Sequence, residues 1–215
     1  MLRVIGRGVG KALRGYQRVV DGVTEGFGWV AKWLVPTVVA VGFVNVLLRY
    51  IGRFTHSALT SNRYVELQWM LFGAIFLIGF PYVLKHHVNV RVDFLFQNYR
   101  PRVRAMIDFV GHVIGLIPFC LFALWATWDQ AATSLYQRAG ITNRWSTWKV
   151  WEVWEQSPDA GGLPRAPIKV LIVVGFFMLL AQSLAELIKL GRALARREVA
   201  APLVEPDTEA PLRIE

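Results

Sequence analysis

The sequence predicts an all-α integral membrane protein with four transmembrane helices, and three observations predict it. The 215 residues are 54% hydrophobic and only 18% charged, too apolar a balance for an ordinary soluble domain. The apolar residues gather into four long runs, over residues 27–48, 67–84, 106–128 and 168–190, each near the roughly 20 residues that carry a helix across a hydrocarbon core about 30 Å thick. The tryptophans Trp29, Trp33, Trp69, Trp125 and Trp128 fall near the ends of these runs, at the depth where an indole is half-buried and its N–H stays satisfied.

The chain begins with a basic segment, residues 1–24. Arg3, Arg7, Lys11, Arg14 and Arg18 recur every three or four residues and share one helical stripe, while Ile5, Val9, Ala12, Tyr16 and Val19 face the other way. The pattern predicts an N-terminal amphipathic helix lying at the inner interface, its cations near anionic phospholipid. Gly6, Gly8, Gly10 and Gly15 weaken that helix. The first apolar run starts too late and is too long for a signal peptide, so it is expected to remain in the mature protein.

The membrane domain occupies residues 25–193. Lys and Arg outside the spans number five in each of three segments, the N-terminal one, residues 85–105 and the C-terminal one, against three in residues 49–66 and four in residues 129–167. Because basic residues near span ends stay on the cytoplasmic side, both termini are predicted to be cytoplasmic. Pro36, Pro81 and Pro118 lie within spans, where each removes a backbone donor and can kink its helix. Cys120, the single cysteine, has no thiol partner and reads as a small core residue. Trp145, Trp148, Trp151 and Trp154 give the outer loop an aromatic stripe suited to the membrane surface or a partner. Residues 194–215 are rich in Pro, Ala and acidic side chains and read as a disordered cytoplasmic tail.

The formal charge of +9 is spread between spans and forms no compact soluble patch, which points to anionic phospholipid and away from nucleic acid. The span centres, Val38 and Val39, Ala74 to Phe76, Leu116 to Pro118, and Met178 with Leu179, hold no ionisable residue, whereas a transporter's substrate or ion site usually places polar groups or broken helices there. His112 is the one imidazole within a span and is expected to bond a neighbouring helix; His56, His86 and His87 lie in or beside loops, a poor set for haem. Lys32, Asp108 and Glu186 enter their spans at similar depth from one side, so an intramembrane ion pair of Lys32 with either carboxylate is expected.

Further pieces recur in a particular order around the spans: Asn45-Val46-Leu47-Leu48-Arg49-Tyr50, Glu66-Leu67-Gln68-Trp69-Met70-Leu71-Phe72-Gly73, Val90-Arg91-Val92-Asp93, Glu155-Gln156-Ser157, Gly162-Leu163-Pro164, Ile168-Lys169, and the stretch from Gln182 to Glu186. In this order and spacing the chain, over about residues 30–190, resembles the small permease subunit of tripartite ATP-independent periplasmic (TRAP) transporters, the DctQ-like family. One departure is Asn89, where the family often has a histidine two residues before the Arg-Val-Asp piece. The resemblance implies a bacterial inner-membrane complex in which a large permease subunit moves an organic acid with sodium, a periplasmic solute receptor delivers it, and the small subunit braces the larger one without cofactor or catalysis. It also marks Arg49, Glu66, Trp69, Arg91, Asp93, Glu155, Ser157, Lys169 and Gln182 as family-motif and interface residues. The competing class is a membrane anchor subunit of a redox complex binding haem or quinone. A stand-alone membrane enzyme would have to build on Ser157 and Glu155, which lack a placed histidine.

Overall fold

The computed structural model describes residues 2–56, 60–88, 99–136 and 154–196. It contains α1 (Leu2–Thr55), α2 (Asn62–Lys85), α3 (Pro101–Val110), a π-helical stretch (Gly111–Leu116), α4 (Ile117–Tyr136) and α5 (Ala166–Arg196). α3, the π stretch and α4 run on from one another as a single span. Four helices are therefore long and apolar enough to cross a membrane, Ala12–Thr55, Asn62–Lys85, Pro101–Leu135 and Ala166–Leu194, and each contains one of the four predicted runs. Each helix extends beyond its apolar run because charged residues such as Arg49, Lys85 and Arg192 remain good helix formers once the chain leaves the hydrocarbon.

α1 is longer than the sequence pattern suggests. The basic segment is not set off from the first span: one helix runs from Leu2 to Thr55 through Gly22, Gly26 and Pro36. At 1.5 Å per residue its 54 residues extend about 80 Å, well over twice the hydrocarbon thickness. Within this helix Tyr16, Gln17, Val20 and Thr24 face α5, while Val19 stays exposed, so the buried face of the segment is partly polar.

The ends of α2 and the start of α3 follow local rules. Ser61 caps α2 by accepting from the Arg63 N–H, and Pro101 takes the first position of α3, where a missing donor costs nothing. α2 closes in a Schellman motif: the Val88 N–H donates to the Val83 carbonyl and the His87 N–H to the Leu84 carbonyl. His87 takes the left-handed conformation, φ +53°, that glycine more often fills. The π stretch stands immediately before Pro118. A proline there can give no N–H to the carbonyl of Ile114 and its ring crowds that carbonyl, and the widened turn, with Ile117 donating to His112, accommodates both defects.

α5 is the hub. It packs against α1, α2 and each part of the third span, while α1 also packs on α2. The contact register gives the directions. Gly28 meets Tyr82 and Gly42 meets Gln68, so α1 and α2 are antiparallel; Gly73 meets Ile168 and Gly175 meets Leu77, so α2 and α5 are parallel. Phe119 packs edge-on against Phe176 and Gly191 approaches Phe109, which makes α5 antiparallel to the third span. Glycines set two of these approaches. An added Cβ at Gly28 would enter the Tyr82 ring, and one at Gly175 would lie 3.0 Å from both the Leu77 Cβ and its carbonyl oxygen.

Leu84, Cys120 and Leu179 form a core cluster with Leu116, Phe176 and Leu180 packed around it. Cys120 is fully buried, as a small core residue would be. Many other apolar side chains point outward, among them Trp29, Trp33, Trp69, Trp125 and Trp128. Such a surface suits lipid or another membrane protein.

Candidate functional site

Charge in the spans is confined to two levels. Residues 33–48, 67–84, 113–128 and 170–185 contain no Asp, Glu, Lys, Arg or His. At 1.5 Å per residue each stretch is about 24 Å of helix or more without one of these five side chains. Polar clusters lie at the two ends of the bundle.

At one end Glu66, in the first turns of α2, organises the loop that leads into α5. Its carboxylate accepts from the Ser157 hydroxyl and from the Leu163 N–H. The same loop is tied to α4 by the Glu155 N–H donating to the Ser134 carbonyl at 2.8 Å, and to the start of α2 by Arg63 Nε donating to the Gly161 carbonyl at 2.9 Å. Glu155 forms an ion pair with Lys169 in the first turn of α5. Gly161 has φ +71°, a left-handed turn that favours glycine, and Gly162 lies so close to Ser157 and Glu66 that a Cβ would strike both. Four predicted motif residues, Glu66, Glu155, Ser157 and Lys169, therefore meet in one junction, although Ser157 is 91 positions from Glu66. Ser157 bonds Glu66 and Glu155 bonds Lys169, so the Ser157–Glu155 couple that an enzyme reading would use is not formed.

At the other end α1, α2 and α5 share a larger network. Gln182, fully buried on α5, accepts from Thr24 Oγ1 at 2.8 Å and donates through Nε2 to Asp21 and to Glu186, each at 3.1 Å. Lys189 bridges the two carboxylates, 3.1 Å from Asp21 and 2.7 Å from Glu186. His87 lies 3.7 Å from the other Glu186 oxygen. Beside them Lys85 and His86 hold Glu25 at 2.6 and 2.9 Å, and Lys85 also donates to the Asp21 carbonyl. Farther along, Arg192 and the Ala185 carbonyl engage Gln17, and Tyr16 donates to the Ala181 carbonyl.

This arrangement corrects the expected ion pair. Glu186 takes Lys189, His87 and Gln182 as partners, while Lys32 is exposed on α1 and, among the described residues, pairs with neither Glu186 nor Asp108. Equal depth brings two side chains together only if both helices are also rotated toward each other. His112 likewise bonds its own helix, through Nδ1 to the Asp108 carbonyl at 2.7 Å, and not a neighbouring one.

Of the remaining predicted residues, Gln182 lies at the heart of the second network, Arg49 and Trp69 are exposed, and Arg91 and Asp93 lie outside the described residues. The stripe at Trp145, Trp148 and Trp151 lies outside them too. Sequence reasoning missed Gln17, Asp21, Thr24, Glu25, Lys85, Lys189 and Arg192. A signal was present: Gln182, Glu186 and Lys189 follow one another at steps of four and three on one face of α5, and Gln17, Asp21 and Thr24 do the same on α1.

Chemically both clusters are sets of ion pairs and hydrogen bonds joining helices. Among the described residues no group of three His, Cys, Asp or Glu side chains could hold a metal ion.

A protein-family model described as "Tripartite ATP-independent periplasmic transporters, DctQ component" matches residues 38–193. The match takes in the last third of α1, all of α2 to α4 and α5 as far as Ala193, and includes the whole Glu66 junction. The curated proteins searched give no match. The solved structures give none either.

Proposed function

Because the chain belongs to the DctQ component family of tripartite ATP-independent periplasmic transporters, as a small membrane subunit that works with a large permease subunit and a periplasmic receptor, we propose that its task is mechanical. It braces the large subunit while that subunit carries an organic acid inward with sodium, and it supplies no solute site and no catalysis of its own. The observation that carries this reading is that each of the four spans holds a stretch of 16 or more residues without an Asp, Glu, Lys, Arg or His. A solute carboxylate or a sodium ion held within such a stretch would need donors or acceptors to replace its water, and the described carboxylates Asp21, Glu25, Glu66, Glu155 and Glu186 are engaged by donors at the two ends.

The two junctions fit a brace. Each ties α5 to other helices, so a load applied at either end of the bundle spreads over several spans. We place both termini on the cytoplasmic side, with the basic residues near the start of α1 and near the end of α5 at that end of the bundle, toward anionic phospholipid.

The test is uptake into vesicles under an inward sodium gradient, with receptor and solute outside. The small subunit alone is expected to give none, and the small and large subunits together to give uptake. Sodium-driven uptake by this chain alone would overturn the reading. Reporter fusions at residue 1 and after residue 197 should behave as cytoplasmic, and periplasmic activity at either would refute the orientation.

A further inference from the structure

Between α1 and α2 runs an apolar groove of about 580 Å³, open along one side. Tyr82 closes it at one end by packing on Gly28, Val35 and Phe76 line it toward the middle of the spans, and Gly79 leaves its floor low. Lys32 supplies the one charge in the lining. From Gly28 to Val35 the groove follows eight residues of α1, about 10 Å of helix.

Three facts about Lys32 favour an anion. It is exposed, and among the described residues it has no hydrogen-bond or ion-pair partner. The cation nearest to it on α2, Lys85, is already committed to Glu25 and to the Asp21 carbonyl. Lys32 also stands between Trp29 and Trp33, whose exposed indoles mark the headgroup level. A helical side chain leans toward the N-terminus of its own helix, so the Lys32 ammonium reaches back from the apolar half of the groove toward the Tyr82 end.

We infer that this groove holds one acyl chain of an anionic phospholipid whose phosphate is bound by the Lys32 ammonium. Charge and shape agree on this occupant. The cation sits at headgroup depth and the apolar channel leads from it into the hydrocarbon. The site goes beyond the bracing role and does not depend on it: it rests on Lys32 and the groove it lines, and the α1 side of that groove, Gly28 to Val35, lies outside the family match.

The experiment uses the full-length chain, delipidated in detergent, alone and assembled with the large subunit. Phosphatidylglycerol or phosphatidylcholine with the same acyl chains is added back, and retained lipid is counted by native mass spectrometry. Wild type should retain one phosphatidylglycerol at about a fivefold lower lipid concentration than phosphatidylcholine, the factor that one cation near an anionic headgroup supplies. Lys32→Gln should erase that preference and Lys32→Arg keep it. Gly79→Leu should lower retention of both lipids; a Cβ there meets nothing within 4 Å, so the side chain fills the groove without a clash, and helicity and monodispersity should match wild type. A preference that survives Lys32→Gln, retention unchanged by Gly79→Leu, or loss of the lipid on assembly with the large subunit would each overturn the assignment, the last because a protein surface would then be the occupant.

Discussion

Gln182 is the residue whose loss should separate α1 from α5 most directly. Its side chain is fully buried, as is Thr24, and it makes three hydrogen bonds, one from Thr24 and one to each of the Asp21 and Glu186 carboxylates. A neutral side-chain hydrogen bond is worth about 1 kcal/mol net and one to a charged group about 1.5 kcal/mol or more. In membrane bundles such bonds average nearer 0.6 kcal/mol because the unfolded helices find other partners. Replacing Gln182 with Leu should therefore cost about 3 kcal/mol, after the added leucine has recovered a little apolar burial. Thr24→Val should cost about 1 kcal/mol. The Thr24–Gln182 bond is lost in both single variants but only once in the double, so the double variant should be less destabilised than the sum by about 1 kcal/mol. Reversible unfolding of the detergent-solubilised chain by a denaturing surfactant, followed by tryptophan fluorescence, measures all four corners of this cycle. Additivity to within about 0.3 kcal/mol, or a Gln182→Leu variant as stable as wild type, would refute the claim that this network joins the two helices.

Two further outcomes follow from local packing. Gly28→Leu should destabilise the bundle by about 1–3 kcal/mol because the side chain must displace the Tyr82 ring, whereas Gly22→Ala, with nothing within 4 Å of its Cβ, should stabilise α1 by up to about 1 kcal/mol; thermal unfolding of both variants checks the contrast, and equal effects would discredit the α1–α2 register. Glu66→Ala should speed proteolytic cleavage within residues 154–165, because Ser157 and the Leu163 N–H lose their shared acceptor, and Gly162→Ala should do the same by pushing Ser157 and Glu66 apart. Cleavage at the wild-type rate in both would show that Glu66 does not hold the loop.

Much of the fold was legible because hydrophobicity along a chain is a local property. The four apolar runs state how many times the chain can cross a bilayer, and each of the four long helices contains one of them. The order of the motif pieces carried the family, which the match over residues 38–193 bears out. The empty span centres were likewise plain, since the absence of a charge from a stretch of 16 or more residues needs no partner to be seen. Even the π stretch had its cue in Pro118, although a proline announces only that a helix must adjust and not how.

What tertiary structure alone decided is which side chains meet. Sequence spacing fixes the depth of Lys32, Asp108 and Glu186 along their helices, but an ion pair also depends on how each helix is turned about its axis. That rotation is set by contacts far apart in the chain, Gly28 on Tyr82, Gly175 on Leu77 and Gln182 on Thr24, which turn Glu186, with Lys189 beside it on the same helix, toward His87 and leave Lys32 facing the groove. The same holds for Glu66 and Ser157, motif residues whose bond spans 91 positions. The continuity of α1 belongs with these: glycines and a change from basic to apolar residues suggest a joint near residue 24, yet Tyr16, Gln17 and Thr24 dock on α5 and hold the helix as one piece through that point. Composition places a residue in the membrane, and packing between helices chooses its partner.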